Sequence, residues 1–344
     1  MNLKSLIKAI LILMISFGIW AAGFCTARPY LQDNISINGT PTDPSEPGDQ
    51  TERLPYPGWN ERERQRALAV VIDNSPNARP QSGLELAEVV IEVPVEGGQT
   101  RFVAIISGED QEHIGPIRSA RSYIVDLARE YQAILVHAGG ALDALASIKD
   151  QKINNLDEIN GGSNVAAAFW RVTEKAKPHN LYSSSDSLRR AAINAKYDLS
   201  TPPAKRGELP LIQEAEGKVS SDITVFYPNK LSMVRYQYNK GRMLYERFMG
   251  EQPHMTAKGE QLTAANVIVQ YVSYQYIDGD GRLRLIMYGK GKALIFSGGR
   301  VINASWDKPI GKFTKYTDAQ GKEILLAQGP TWIEVVTNAT RIEY

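Results

Sequence analysis

The chain has 344 residues, of which 43% are apolar, so it can bury enough surface for two domains. Its 39 Lys and Arg residues nearly balance 38 Asp and Glu residues, which excludes a long-range field that could gather nucleic acid, and we expect no nucleic-acid partner. The single cysteine, Cys25, excludes an internal disulfide framework and a multi-cysteine metal site.

Residues 1–25 predict a membrane anchor or signal segment. Lys4 and Lys8 precede an uncharged apolar run of about 17 residues that ends at Cys25. That length is short for a spanning helix and long for a signal segment, so cleavage, retention as a transmembrane helix and lipid attachment at Cys25 all stay open. Phe24 argues against lipid attachment, because the residue before a lipidated cysteine is normally small. The segment predicts a protein anchored by its N-terminus at the outer face of the cell membrane, with an extracytoplasmic body.

The composition after the anchor predicts a stalk followed by two folded domains. Residues 26–60 are rich in Pro, Asp, Gly, Ser and Thr and show no apolar periodicity, which predicts a disordered stalk. We expect a first domain over residues 61–205. The sequence then turns polar, which predicts a linker over residues 206–221, and a C-terminal domain over residues 222–344 follows.

Strand and helix patterns alternate in the first domain. Short, β-branched apolar runs predict buried strands at residues 67–72, 87–93, 101–107 and 133–137. Apolar residues at helical spacing predict an amphipathic helix over residues 119–132, with Ser119 or Ser122 as its N-cap, and a second helix over residues 141–149. This alternation predicts a mixed α/β domain.

Beyond residue 222 the sequence predicts β-hairpins. Alternating apolar and polar runs are separated by turn residues at 239–241, 278–281, 298–299 and 328–330. The predicted fold class is therefore α+β, with a layered mixed α/β first domain followed by a smaller antiparallel β domain.

Several motifs of the chain resemble the YerB-like lipoprotein family, a bacterial domain family of unknown function. In the first domain they are VIDNSPNARPQSGL (71–84), VEGGQTRFVAI (95–105), IGPIRSARSY (114–123), ILVHAGG (134–140), AFWR (168–171) and PHNLYSSSDSL (178–188). In the second domain they are WDKP (306–309) and GPTWIEVV (329–336). The resemblance implies a layered α+β first domain, an attached β domain and a surface-exposed protein, and it implies no established activity.

Two arginines at the start of the predicted helix are the most informative local feature. Arg118 and Arg121 lie in or just before its first turn, where the helix dipole favours anions and repels cations. Guanidinium groups suit carboxylates and phosphates. The arginines therefore predict either a bound anion or an internal ion-pair network with Glu92, Glu96 or Asp126.

Two histidines lie in recognisable motifs. His137 ends a predicted strand before two glycines, and His179 lies in a Pro-His-Asn triplet. Ligands collect at strand ends in α/β sheets, but both rings could equally bond nearby backbone carbonyls and act structurally. No two histidines have the close spacing of a helix-borne metal site, so we expect no metal and no cofactor.

The candidate ligand-binding residues are Glu96, Arg101, Arg118, Ser119, Arg121, His137, Arg171, His179 and Asn180. We expect five of them to share one cleft of the first domain: Arg101, Arg118, Arg121, His137 and His179. No familiar catalytic signature occurs, and the catalytic residues are left unassigned. Two function classes stay open. One is a binding module for an anionic or polar envelope ligand or a protein partner, and the other is an envelope enzyme acting on a glycan or phosphodiester.

Overall fold

The computed structural model describes residues 65–108, 111–200, 208–209, 217–277 and 283–344. The predicted anchor and stalk lie outside the described residues, as do most of the predicted linker and the turn at 278–281. Within the described ranges, no helix is long and apolar enough to cross a membrane.

The N-terminal half alternates strands and helices as its sequence predicts. Its elements are β1 (Leu68–Asp73), β2 (Val89–Pro94), β3 (Thr100–Ile106), α1 (Ser122–Glu130), β4 (Ile134–His137), α2 (Leu142–Asp150), β5 (Asn155–Asp157), α3 (Ser163–Ala166), β6 (Trp170–Arg171), β7 (Leu181–Tyr182) and α4 (Ser185–Asn194). All four predicted strands and both predicted helices are confirmed.

The predicted N-cap of α1 is wrong. Arg121 occupies that position in an extended conformation, with φ −128° and ψ 156°, and its side chain makes no capping bond. A guanidinium has no acceptor for the first helical amides. Neither serine can cap, because the extended segment before the helix continues through Ser119 as far as Arg121 and Ser122 is already the first helical residue.

The C-terminal half consists of strands. They are β8 (Glu208–Leu209), β9 (Lys218–Val219), β10 (Asp222–Phe226), β11 (Val234–Asn239), β12 (Leu244–Met249), β13 (Gln252–Pro253), β14 (Thr263–Ala264), β15 (Asn266–Tyr271), β16 (Ser273–Tyr276), β17 (Leu283–Ile286), β18 (Gly289–Ser297), β19 (Arg300–Lys308), β20 (Lys315–Thr317), β21 (Leu326–Ala327), β22 (Thr331–Val336) and β23 (Arg341–Glu343). Among the described residues after 222, one short 3-10 turn is the only helical element. The predicted α+β fold class is confirmed.

One large mixed sheet contains strands from both halves of the chain. Its order is β20-β19-β18-β15-β22-β2-β3-β1-β4-β5, and β9 also pairs with β19. The halves meet where β2 and β22 pair in parallel, with Glu92 opposite Glu334. The proposed division into two domains stays a prediction, but the two sequence segments do not form separate sheets.

Both faces of the large sheet are covered. Helices α1 and α2 pack on one face, in a core that includes Val71, Ile124 and Ile333. On the other face lie α4 and a smaller antiparallel sheet of order β13-β12-β11-β10-β23, with β14 beside β12. This three-layer arrangement explains why the central strands are apolar on both faces rather than alternating.

Most predicted hairpins are confirmed, and one is wrong. Strands β11 and β12 pair antiparallel, as do β18 and β19, and β16 pairs with β17 around the predicted turn at 278–281. The runs on either side of residues 328–330 do not pair with each other, because β22 is an interior strand that pairs in parallel with β15 and β2. Strand β21 pairs instead with β8.

Candidate functional site

A short extended segment places two of the predicted site residues at the end of β1. After β3 the chain returns across the sheet edge, where Asp73 N donates to Pro116 O at 2.9 Å and Arg118 N donates to Val71 O at 2.9 Å. On its other side Ala138 N donates to Arg118 O at 3.0 Å. The segment therefore lies between the carboxyl ends of β1 and β4, next to Asp73.

Arg101, Arg118 and Arg121 form what we call the arginine cluster. Strand β3 runs antiparallel to β1 and places Arg101 opposite Asp73, at the same sheet edge as the crossing segment. The Arg101 guanidinium donates to Ser119 O at 2.6 Å. The pKa of Arg101 is lowered to about 10 by burial and by the charges of Arg121 and Arg118. Three cations are thus close enough to perturb one another.

Carboxylates neutralise two members of the arginine cluster. Arg121 makes a bidentate pair with Glu96, at 2.8 and 2.7 Å, so the predicted ion-pair alternative holds for this arginine. Arg118 Nε lies 3.1 Å from Asp73 Oδ2. Arg101 is 8% exposed, and no carboxylate in the described part of the chain bonds its guanidinium. Arg101 is therefore the member of the cluster that bonds no carboxylate, and Glu96 acts on it only electrostatically.

Asp73 also holds His179. The His179 Nδ1 atom lies 2.7 Å from Asp73 Oδ2 and 3.0 Å from Ser75 Oγ, and Ser75 N donates to Asp73 Oδ1 at 2.8 Å. Burial raises the pKa of Asp73, but the bonds from Ser75 and His179 and the charge of Arg118 together lower it. Asp73 is therefore an ionised carboxylate shared by a histidine and an arginine.

His137 lies apart from this group. Its ring is fully buried, with Nδ1 2.8 Å from Gly139 O and Nε2 3.2 Å from Asn155 Oδ1. Both ring nitrogens are used within the protein, so the ring fixes the turn after β4 and faces no ligand. This is the structural alternative expected for the histidines, and the expected convergence does not include His137.

Arg171 and Asn180 bond mainly to each other. The Arg171 guanidinium donates to Asn180 Oδ1 at 2.9 Å and lies 3.8 Å from Glu158. Asn180 Nδ2 donates to Val172 O at 3.0 Å, which ties β6 to the residues before β7. This pair supports the loop that carries His179 rather than extending the arginine cluster.

The remaining acids that could have paired with the arginines have other partners. Asp126 accepts a bond from Gln151 Nε2 at 3.3 Å. Glu92 is fully buried, accepts from Asn74 and Thr100, and pairs with Arg247 of β12. The expected link between Glu92 and the helix-start arginines is wrong, because Glu92 lies on β2 toward the smaller sheet.

Arg247 is the centre of a buried polar network that the sequence did not reveal. It lies between Glu92 and Glu334, donates to Tyr236 OH at 3.0 Å and contacts His254 Nδ1 at 2.5 Å. His254 Nε2 in turn lies 2.9 Å from Gln81 Oε1. All of these side chains are buried. The sequence did offer one signal for this network, because Glu92, Arg247 and Glu334 each lie within an otherwise largely apolar strand.

Glu334 is the carboxylic acid of this network whose pKa is raised. Burial and repulsion from Glu92 raise its pKa to about 8, against the lowering effects of Arg247, Tyr236 and Tyr227. Two carboxylates share one guanidinium in a site without water access, so one of them retains its proton at neutral pH.

Metal binding finds no support in the described ranges. They contain no group of three His, Cys, Asp or Glu side chains that could hold a metal ion. The candidate site contributes three guanidinium groups, one imidazole and two carboxylates.

Comparison with known proteins gives the family. Residues 57–198 match the "Protein of unknown function (DUF3048) N-terminal domain", and residues 223–333 match the corresponding C-terminal domain. The chain belongs to the DUF3048 family. A DUF3048 relative, "Putative lipoprotein YerB" of Bacillus subtilis (strain 168), is 34% identical over 278 residues, which are 79% of this chain and 81% of the relative. The crystal structure of the Bacillus subtilis YerB protein superposes with a TM-score of 0.74 at 31% identity, and the match covers 82% of this chain and 95% of that one.

Proposed function

We propose that this DUF3048 protein is an extracytoplasmic binding module that is held at the outer face of the cell membrane by its N-terminal segment. The apolar run behind Lys4 and Lys8 supports the anchoring, and so does the lipoprotein description of the YerB relative. Anchoring by lipid at Cys25 and anchoring by a retained helix both fit this proposal.

The ligand is an anion, and the arginine cluster binds it. The observation that carries this step is Arg101, which is nine-tenths buried between Arg118 and Arg121 without a carboxylate of its own. A buried charge is costly unless it is paired. A carboxylate or phosphate at this sheet edge would supply the missing charge and fit the planar guanidinium donors.

The backbone supports the same conclusion. The cluster adjoins the N-terminus of the nine-residue helix α1, whose positive dipole end is not neutralised by an acidic residue in its first turn. Instead the N-cap residue is itself an arginine, which adds to the positive potential at the start of the helix. The negative charge that balances this potential therefore has to come from Glu96 and from a ligand.

Binding of inorganic phosphate, pyrophosphate and acetate to the purified full-length chain tests the proposal. We expect Arg101→Met to weaken phosphate binding roughly 10- to 150-fold, the equivalent of about 1.5–3 kcal/mol for hydrogen bonds to a charged group. Arg242→Met is the matched control, because Arg242 is half-exposed and pairs with Glu246 in the C-terminal half. If the parent chain binds none of the three anions, or both variants bind phosphate equally, the arginines are structural.

A further inference from the structure

We propose that Asp73 and His179 form a proton-transfer pair that hydrolyses a phosphodiester held by the arginine cluster. This inference rests on the proposed anion site and adds a reaction to it. The pair and the cluster meet at one atom, since Asp73 Oδ2 is contacted by both His179 Nδ1 and Arg118 Nε.

The carboxylate fixes the state of the imidazole. An ionised carboxylate only accepts hydrogen bonds, so the proton between the two groups belongs to His179 Nδ1. In the neutral ring this leaves the lone pair on Nε2. Within the described part of the chain Nε2 has no hydrogen-bond partner, and the ring is 19% exposed. A base with a fixed tautomer and an accessible lone pair is what general-base catalysis requires.

The charges around the site favour an anionic substrate, and a phosphodiester is an anion. Arg101, Arg118 and Arg121 lie beside the carboxylates of Asp73 and Glu96. Asp143 also interacts electrostatically with Arg121, and Lys175 and Arg79 interact with Asp73. When a nucleophile adds, the phosphoryl group gains a second negative charge. His179 becomes positive in the same step, so the site stabilises the charge that develops in the transition state.

The reaction needs no further reactant than water. A water molecule gives one proton to His179 Nε2 while its oxygen forms a bond to phosphorus. The P–O bond to the leaving alcohol breaks, and the imidazolium returns the proton to that oxygen. The products are a phosphomonoester and an alcohol, with no change of oxidation state.

The surroundings of His179 differ from those of the other three histidines. His137 has both ring nitrogens bonded inside the protein, and His254 is fully buried next to Arg247. His113 is exposed and contacts Trp170 edge-on at 5.9 Å. His113 therefore provides a matched control for substitution of a histidine outside the pair.

The test measures hydrolysis and binding on the same full-length protein in detergent. Release of 4-nitrophenolate from bis(4-nitrophenyl) phosphate reports diester hydrolysis. Conversion of diester to monoester signals in phosphorus NMR reports it for two natural sources, phosphatidylglycerol in mixed micelles with the detergent and a soluble glycerol-phosphate polymer. Hydrolysis of the phosphatidylglycerol alone would identify a lipid substrate, and hydrolysis of the polymer alone would identify a wall or capsule polymer.

We expect His179→Gln to lower turnover at least 100-fold, the lower range for loss of a general base, while phosphate affinity changes less than about threefold. His113→Gln should leave turnover unchanged.

Failure of this inference is distinguishable from failure of the anion site. If phosphate binds in an Arg101-dependent manner but none of the three diesters is hydrolysed, the reaction is wrong and the binding function stands. Equal turnover by the parent and His179→Gln also overturns the reaction. If no anion binds at all, both proposals fall together.

Discussion

Replacing Arg247 with methionine removes the cation from the buried network between the two halves of the chain. The guanidinium is fully buried and lies 4.4 Å from the centroid of the Trp332 ring. Burial lowers the pKa of Arg247, but Tyr236, Glu92 and Glu334 together raise it, so the side chain is charged in the folded protein. The substitution leaves the ionised member of the Glu92–Glu334 pair buried without its counter-charge.

The expected cost follows from that loss. Removing one partner of a buried ion pair costs about 3–5 kcal/mol, whereas an exposed pair contributes about 0.3–0.5 kcal/mol. Arg242→Met is the matched control, because Arg242 lies in the same hairpin and its contact with Glu246 is 3.5 Å long and half-exposed. Adding Glu92→Gln to Arg247→Met should recover part of the loss, because the pair of carboxylates then no longer holds a buried charge that lacks a counter-charge.

Denaturation by guanidinium chloride at pH 7, followed by tryptophan fluorescence, measures these differences. Trp332, whose ring centroid lies 4.4 Å from the Arg247 guanidinium, is one of the five tryptophans that contribute to the signal. The reasoning is refuted if Arg247→Met is destabilised no more than Arg242→Met. It is also refuted if Glu92→Gln adds to the loss instead of reducing it. Either result would mean that the network is not electrostatically coupled.

Two further predictions concern the titration of Glu334 and the side of the membrane on which the folded body lies. The folded-state pKa of Glu334 is raised from 4.5 to about 8, so its stabilising contribution is complete below pH 4.5 and is lost as the pH rises through about 8. The stability of Glu334→Gln relative to the parent should therefore increase across this interval by at most about 1.4 kcal/mol per pH unit in urea titrations, and a constant difference would contradict it. Protease added to intact, wall-stripped cells should digest residues 60–344, whereas protection until lysis would contradict the outward orientation.

Local patterns in the sequence predicted the strands and helices but not all of their partners. Runs such as residues 67–72 and 101–107 are short, β-branched and bounded by turn residues, and each became a strand. Strand β22 was assigned to a hairpin because turn residues precede it. Its parallel neighbours, β15 and β2, are distant in sequence, and no local signal specifies such pairings.

The candidate site was predicted only where its residues are close in sequence. Arg118 and Arg121 were identified from their position before a helix, and Glu96 was among their expected partners. Asp73 was missed because its role depends on the crossing segment, which brings Arg118 to the end of β1 from 45 positions away. The assignment of His179 depended on the same carboxylate, so sequence alone could not distinguish it from His137.

The tripeptide Asp73-Asn74-Ser75 connects the surface site to the buried network. Asp73 is itself buried and contacts the partly exposed side chains of Arg118 and His179, whereas Asn74 Nδ2 donates to Glu92 Oε1 at 3.0 Å in the interior. Successive side chains of an extended segment point to opposite sides, so one backbone conformation sets both contacts. The buried charges therefore help to fix the carboxylate on which the surface arginine and histidine depend. The site residues come from the N-terminal half, and through Asn74 and Glu92 they are linked to Arg247 of the C-terminal half.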